Sequence, residues 1–190
     1  MVGLGTVINT AAILAGGVCG ALFGRVLSQS AQDTLMTIHP EPVNLVAIAR
    51  QSVVDFINLD MEEKYPIEWN TDEALTACVI NGDKELLRRA IGNLITNSQT
   101  HNPDGCTISV CVRKSDTEYK IVVEDNGVGV TDEKLEKLRT TPHYMMSDSG
   151  TTEPRHGLGL LIVGQIVSAH NGTVSFDHGK QGGFAVTISF

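Results

Sequence analysis

Residues 85–101, ELLRRAIGNLITNSQTH, carry the most informative pattern in this chain. On a period of about 3.6 residues the aliphatic side chains fall on one side, which predicts a helix packed against a core. Those side chains are Leu87, Ala90, Ile91, Leu94 and Ile95. Asn93 and Asn97 lie one turn apart at the edge of this apolar face, where a structural helix could carry two more aliphatics. Their amide oxygens suit a hard cation or a polar ligand, although two surface or capping asparagines would also explain the pair.

Composition limits the classes of protein. With 190 residues, 42% of them hydrophobic and 19% charged, the chain can form one well-buried domain and an appendage. A net charge of -8 argues against nucleic acid as a partner, because contact with phosphates requires a basic face. The four cysteines show neither CxxC spacing nor the density of a disulfide scaffold, which favours a reducing compartment.

The N-terminal segment differs from the rest of the chain. Residues 2–24 contain no charged side chain, and this run is long enough to cross a bilayer as a helix. A signal peptide fits poorly because no basic residue precedes the run. Arg25 follows it, which favours a cytoplasmic C-terminal side. Small residues recur every four positions, a spacing that lets membrane helices approach closely, at Ala12, Gly16, Gly20 and Gly24.

We therefore expect three parts. An apolar helix over residues 1–27, which either spans a membrane or packs on a soluble core, precedes a linker over 28–42. Pro40 and Pro42 make that linker a natural break. A compact domain then covers 43–190, with short helices and strands in alternation. The pattern predicts helices over 44–59, 85–101 and 158–169, a short helix from Thr131, and strands over 65–69, 75–80, 107–113, 118–124, 173–176 and 184–188.

A second informative stretch is residues 124–130, EDNGVGV. After a strand, Asp-Asn-Gly by itself predicts a tight hairpin. Instead, Thr131 and the acids after it are typical of a helix start. Asp125 is then left at a strand end beside Gly127 and Gly129, where the backbone can pass close to a ligand. A carboxylate there can accept a hydrogen bond from an exocyclic amine such as that of a purine.

The third stretch is a long irregular segment over 140–156 followed by a glycine-flanked helix start. A connection of this length is typical of a lid or binding loop, and a disordered surface loop is the alternative. Around Gly157, Leu158 and Gly159 the first N–H groups of a helix are left without intrahelical partners. Together with the helix dipole, these groups suit a phosphate.

In this order and spacing, the two-asparagine helix, DNGVG at 125–129, HGLGL at 156–160 and a final Gly-Gly strand strongly resemble the catalytic ATP-binding domain of bacterial sensor histidine kinases. That domain belongs to the larger ATPase group that includes gyrase, heat-shock chaperones and MutL-type proteins. The resemblance covers 43–190 and implies an α+β fold, a two-layer α/β sandwich with helices on one face of a mixed sheet, the Bergerat-type ATP-binding fold. Residues 1–37 loosely resemble the start of an uncharacterised family of multi-pass bacterial membrane proteins.

The resemblance implies ATP and Mg²⁺ as cofactors. Asn97 would be the ligand to Mg²⁺, and Asn93 would lie near the same phosphates. Asp125 would accept a hydrogen bond from the adenine amino group. Gly127 and Gly129 would let the backbone clear the base.

The lid residues follow from the same resemblance. Gly157, Leu158 and Gly159 would form its hinge and the phosphate-facing helix start. Arg155 would stabilise phosphate charge, since phosphoryl transfer depends mainly on positioning and electrostatics. His101 stands where the family often stacks an aromatic residue on adenine, and an exposed helix-end histidine is the alternative.

Three departures from the family pattern qualify this expectation. Residues 142–146, PHYMM, replace a phenylalanine-rich lid box, and Thr100 replaces a basic residue that commonly follows the second asparagine. His39, the one histidine ahead of the domain, lies in His-Pro-Glu-Pro, where prolines oppose a helix. We therefore expect a domain that binds Mg-ATP and phosphorylates a histidine on a dimerisation hairpin supplied by another chain or segment, rather than in cis. A response regulator would be a further partner.

The same motifs also allow different functions. An ATP hydrolase of the gyrase kind would have a glutamate at position 93 to activate water, and the asparagine there disfavours it. A non-catalytic nucleotide-sensing module or an anti-sigma-type serine kinase would also fit the sequence. The expected location is the bacterial inner membrane with a cytoplasmic C-terminal domain, or the cytoplasm if residues 1–27 do not span.

Overall fold

A computed structural model describes residues 37–59, 64–140 and 158–190. Ile38–Phe190 forms one compact unit. The apolar helix predicted over 1–27 and nearly all of the lid predicted over 140–156 lie outside the described residues. Within the described ranges, none of the helices has the length and apolar character needed to cross a membrane.

Short strands and helices alternate along the described part of the chain. In order they are β1 (Glu41–Asn44), α1 (Leu45–Leu59), β2 (Ile67–Trp69), β3 (Val79–Gly82), α2 (Lys84–His101), β4 (Ile108–Lys114), β5 (Tyr119–Asp125), α3 (Asp132–Thr140), α4 (Leu158–Ala169), β6 (Thr173–His178) and β7 (Phe184–Ser189).

The main sheet has five strands in the order β2-β4-β5-β7-β6. β2 runs parallel to β4, whereas each of the other neighbouring pairs is antiparallel. The sheet is therefore mixed, as predicted. β4 and β5 form its centre over seven paired positions, from Ile108 opposite Asp125 to Lys114 opposite Tyr119, and this register places the end of β5 beside the start of β4.

The core lies between this sheet and the helices. Alternate residues of the central strands face the helices and are no more than 2% exposed, namely Ile108, Val110, Val112, Ile121 and Val123. α1 packs on β4, α2 packs on β5, and α4 packs on α2 and β6. The intervening residues Ser109 and Glu124 are partly exposed on the opposite face. This burial pattern confirms the α+β sandwich with helices on one face.

The compact unit begins at Ile38, ahead of the start predicted at residue 43. β1 pairs antiparallel with β3 in a separate two-stranded sheet, with Pro42 opposite Asn81. Proline is tolerated in such a short, exposed strand because only one edge needs to donate hydrogen bonds. Glu41 and Pro42, assigned to the linker from the sequence, are therefore part of the compact unit.

The second predicted strand also starts later than expected. The run over 75–80 becomes a strand only at Val79, because the N–H of Leu75 donates to the carbonyl of Asp72 and closes a turn. Asn44 caps the start of α1. Its Oδ1 atom accepts from the N–H of Val46 at 3.1 Å and also from that of Cys78 at 3.2 Å, which joins the start of α1 to the segment before β3.

Candidate functional site

The start of α2 is fixed by Asp83. Its Oδ1 atom accepts from the N–H of Leu86 at 3.0 Å, and its Oδ2 atom accepts from the N–H of His39 at 2.9 Å. The hydrogen bond from His39, followed by that from Leu86, holds the pKa of the Asp83 carboxyl below its usual value. Asp83 is thus the N-cap of α2. It sets where the helix begins and therefore which way the side chains further along it point.

Asn93 and Asn97 are half-buried on α2, beside fully buried Leu94 and Ile95. The Nδ2 atom of Asn93 is buried and has no hydrogen-bond partner among the described residues. Buried amide groups in proteins are nearly always paired. An unpaired amide donor at this position therefore fits a site that receives a polar ligand with acceptor atoms, such as a phosphate.

Asp125 ends β5 and is only 4% exposed. Its Oδ1 atom accepts two hydrogen bonds, from the N–H of Gly127 at 3.0 Å and from Nδ2 of Asn102 at 3.3 Å. Within the described ranges, Oδ2 makes no hydrogen bond. The carboxylate is thus held by one oxygen while the other can accept from a ligand, which suits recognition of an amine.

Asn102 was not recognised from the sequence. It follows the last residue of α2, is 4% exposed, and its Nδ2 atom donates to the carbonyl of Ser98 at 2.8 Å. Its Oδ1 atom accepts from the N–H of Val128 at 2.9 Å. The sequence does contain a signal for the helix end, because Asn102 directly precedes Pro103. That signal does not reveal the hydrogen bond with Val128, 26 residues further along the chain.

The two glycines of the DNGVG stretch lie so close to neighbouring protein atoms that a side chain would not fit at either position. A Cβ atom at Gly127 would lie 1.8 Å from Oδ1 of Asn102, and one at Gly129, whose φ is +67°, would lie 2.8 Å from the carbonyl oxygen of Gly183. A Cβ atom at Gly183 would lie 2.0 Å from the carbonyl oxygen of Asp125. The structure thus gives these glycines a packing reason, whereas their clearance of an adenine base stays a prediction.

The glycine turn between β6 and β7 contacts the end of β5, which the sequence did not indicate. Besides Gly183, a Cβ atom at Gly179 would lie 2.1 Å from the carbonyl oxygen of Gly182 and 2.8 Å from that of Asp125. The backbone N–H of Lys180 donates to the carboxylate of Glu124. The turn over 179–183, which is distant in sequence, therefore packs directly against the backbone of Asp125, the residue that bears the buried carboxylate.

The remaining predicted residues are placed only in part. Leu158 and Gly159 begin α4, and an added Cβ at Gly159 would meet nothing within 4 Å. His101 is the last residue of α2 and is exposed. Arg155 and Gly157 lie outside the described residues. The described candidate residues therefore lie on α2, at the end of β5 and at the start of α4.

A buried thiol lies beside the carboxylate. Cys106 is 9% exposed, and burial, followed by the charge of Asp125, raises the pKa of its thiol to about 11. This thiol is protonated and uncharged at neutral pH, so it does not act as a nucleophile there. Among the described residues, Cys78, Cys106 and Cys111 are free and buried.

Comparison with known proteins identifies the family. Residues 82–190, more than half of the chain, match the model for histidine kinase-, DNA gyrase B-, and HSP90-like ATPases. Among curated relatives, sporulation kinase B of Bacillus subtilis (strain 168) is 32% identical over 149 residues, which are 78% of this chain and 33% of that protein. The probable sensor kinase SilS of Salmonella typhimurium is 33% identical over 105 residues, 53% of this chain and 20% of that protein. The chain thus spans a third or less of these relatives.

Solved structures agree with the fold. The mycobacterial sensor histidine kinase MprB superposes with a TM-score of 0.63 at 24% identity, covering 80% of this chain and 97% of that one. The catalytic domain of histidine kinase ThkA in a nucleotide-free form gives 0.64 at 19% identity, covering 80% and 95%. The chain therefore belongs to the histidine kinase-, DNA gyrase B- and HSP90-like ATPase family, and its compact unit is an ATP-binding catalytic domain of the histidine kinase type.

Proposed function

We propose that this chain binds Mg-ATP beside α2 and transfers the γ-phosphoryl group to a histidine on a dimerisation hairpin supplied by another chain or segment. The observation that carries this proposal is the buried Asp125, with Oδ1 held by Asn102 and Gly127 and Oδ2 without a partner in the described part of the chain. That arrangement suits the 6-amino group of adenine, as an amine donor is the group that a half-engaged carboxylate can recognise.

The spacing of three asparagines, two on α2 and one directly after it, supports a nucleotide that lies parallel to the helix axis. Asn97 and Asn93 precede Asn102 by five and nine residues. At a rise of about 1.5 Å per residue, they lie roughly 8 and 14 Å along the helix from the residue that contacts Asp125. Both amides are thus displaced to one side of the base site, where the phosphates of a bound nucleotide would lie.

The amide pair fits a magnesium site. Mg²⁺ in such sites takes a few protein oxygen ligands and the phosphates, rather than a complete protein cage. Asn97 would provide its Oδ1 atom to the metal, and Asn93 would hold the same phosphates through its buried Nδ2 donor. When bound, Mg²⁺ would supply positive charge that neutralises the phosphates.

The start of α4 would complete the phosphate site. Leu158 and Gly159 are the first residues of α4, and the N–H groups of a helix's first turn, with the helix dipole, favour an anion. Open space around Gly159 leaves room for such an approach. Arg155 and Gly157 keep their proposed roles in charge stabilisation and in the hinge of the lid, and His101 keeps its proposed stacking role.

Transfer to an acceptor is favoured over hydrolysis. Position 93, where a hydrolase of this family carries a glutamate, is an asparagine, which cannot take a proton from water. The catalytic task is then to hold the phosphates and neutralise charge while the acceptor imidazole attacks. A response regulator would receive the phosphoryl group afterwards, and residues 2–24 would tether the domain to the inner membrane with its C-terminal part in the cytoplasm.

The test is a transfer assay with the full chain. The protein is incubated with γ-labelled ATP, Mg²⁺ and a purified dimerisation hairpin from a sensor kinase, beside a hairpin whose acceptor histidine is changed to glutamine. We expect acid-labile label on the histidine-bearing hairpin alone, and none with Asn97→Ala. Acid-stable label on serine would instead identify a serine kinase, and phosphate release without label a hydrolase. ATP binding without transfer would identify a non-catalytic nucleotide-sensing module.

A further inference from the structure

We propose that Asn102 is a positioning residue for adenine recognition, and that its side-chain amide makes the base-binding carboxylate of Asp125 and the metal-binding helix α2 one rigid unit. This inference rests on the proposed binding of ATP. It concerns a residue that makes no contact with the base and acts through Asp125.

Both the amide nitrogen and the amide oxygen of Asn102 form hydrogen bonds. The residue is 4% exposed, and its Nδ2 atom donates to the carbonyl of Ser98 at 2.8 Å and to Oδ1 of Asp125 at 3.3 Å. A primary amide has two N–H donors, so both are engaged. Its Oδ1 atom accepts from the N–H of Val128 at 2.9 Å. One planar group thus links the last turn of α2, the end of β5 and the loop after it.

The backbone of Asn102 is fixed as well. Its N–H donates to the carbonyl of Gln99 at 3.3 Å, and its own carbonyl accepts from the N–H of Gly105 at 2.9 Å and from the hydroxyl of Tyr65 at 3.2 Å. A side chain on such an anchored backbone holds its partners at defined distances. The amide therefore transmits the position of α2 to Asp125 with little freedom.

The effect on Asp125 is directional. Both donors, Asn102 and Gly127, bond the same carboxylate oxygen, which fixes the plane of the carboxylate and leaves Oδ2 to face a ligand. Without the amide, Oδ1 keeps one donor and the carboxylate can rotate. Gly127 belongs to the same arrangement, because a side chain there would overlap the Asn102 amide.

The experiment compares ATP with purine riboside triphosphate, which lacks the 6-amino group. Binding of each to the full chain is measured by calorimetry with Mg²⁺, for the parent and for Asn102→Ala. We expect Asn102→Ala to weaken ATP binding roughly tenfold, the size of one hydrogen bond to a charged group, and to weaken binding of the analogue by less than about twofold. The preference for ATP should therefore fall, which a general loosening of the fold would not produce.

Asn102→Ser is a second variant in case the alanine variant does not fold. Its hydroxyl keeps a polar group at the helix end but is too short to reach both Ser98 and Asp125, so we expect the same loss of preference. Asn126→Ala is the matched control. Asn126 lies in the same loop, and its amide oxygen accepts from the N–H of Thr107 at 2.8 Å, away from the Asp125 carboxylate. Its variant should keep the parent ratio of the two affinities.

Two results would overturn the inference. Equal weakening of both nucleotides by Asn102→Ala or Asn102→Ser would mean a structural role only, and an unchanged ATP affinity in a folded variant would mean that Asp125 needs no support. Failure of the ATP binding on which the inference rests gives a different result, because the parent itself would then bind neither nucleotide.

Discussion

The backbone N–H of Asp83 donates a hydrogen bond to the Nε2 atom of His170 at 2.8 Å, joining the residue before α2 to the residue after α4. The Nδ1 atom of His170 lies 2.7 Å from the carbonyl oxygen of Ile166, so Nδ1 carries the proton and the ring is held as the neutral tautomer. This hydrogen bond thus connects the N-terminal end of α2 to the C-terminal end of α4, the ends of the two helices that lie away from the proposed nucleotide site.

Removing the hydrogen bond between Asp83 and His170 should destabilise the domain. We expect His170→Ala to lower the free energy of unfolding by about 1–3 kcal/mol, since a buried backbone N–H loses its acceptor. Urea unfolding followed by circular dichroism measures the change. His178→Ala is the control, because His178 pairs with the exposed Asp132 and its loss should cost less than about 0.5 kcal/mol. Equal effects of the two variants would contradict the role given to His170.

Acidification should weaken the cap of α2. The folded state lowers the pKa of Asp83, so the stability that its charge provides is fully present above the unfolded pKa of about 4 and is lost as pH falls through the lower folded pKa. We expect Asp83→Ala to cost about 1 kcal/mol at pH 7. The difference from the parent should shrink as pH falls below about 4. Unfolding curves of both proteins from pH 7 to pH 2.5 test this, and a difference that is constant over that range would refute it.

Mg²⁺ should separate the roles of Asn97 and Asp125. Asn97→Ala should remove most of the gain in ATP affinity that Mg²⁺ gives. Asp125→Ala should weaken binding by about 1–3 kcal/mol with or without the metal, because it deletes a hydrogen bond to the base.

Calorimetry with Mg²⁺ and with EDTA distinguishes these outcomes. Asn81→Ala, at an exposed position of β3, is the matched asparagine control and should bind as the parent does. The same metal dependence in the Asn97 variant and the parent would remove Asn97 from the magnesium site.

Two glycines should respond in opposite ways to alanine. Gly127→Ala places a methyl group 1.8 Å from the Asn102 amide oxygen, and the resulting overlap should destabilise the fold by about 1–3 kcal/mol. Gly92, within α2, has open space around its Cβ position, so Gly92→Ala should stabilise the helix by roughly 0.5–1 kcal/mol. Thermal unfolding of both variants tests the contrast, and destabilisation by Gly92→Ala would show that α2 is closely covered at that point.

Local chemistry made much of the fold predictable. The span of α4, Leu158–Ala169, follows from its apolar run, and the caps at Asp83 and Asn44 follow from polar residues placed before helices. β1 was missed because Pro40 and Pro42 predicted a break, whereas Pro42 in fact lies within β1 and is paired with β3. A strand defined by a distant partner has too weak a local signal to be recognised.

The candidate site was predictable in the same uneven way. Asn93, Asn97 and Asp125 stand out because each is a polar residue where the pattern calls for an apolar or turn residue. Asn102 does not stand out, as its importance comes from partners brought close by tertiary folding. The need for glycine at position 127 could not be predicted either, because the atom that excludes a side chain there belongs to Asn102.

The glycine turn behind Asp125 limits how this domain can evolve. Gly179 and Gly183 lie so close to the Asp125 backbone that a Cβ atom at either position would overlap it. A substitution in that turn is therefore expected to disturb folding before it changes the nucleotide preference. On the role proposed for Asp125, a new base preference is expected to arise at Asp125 itself or at the Asn102 amide, which leaves few single substitutions that could change specificity.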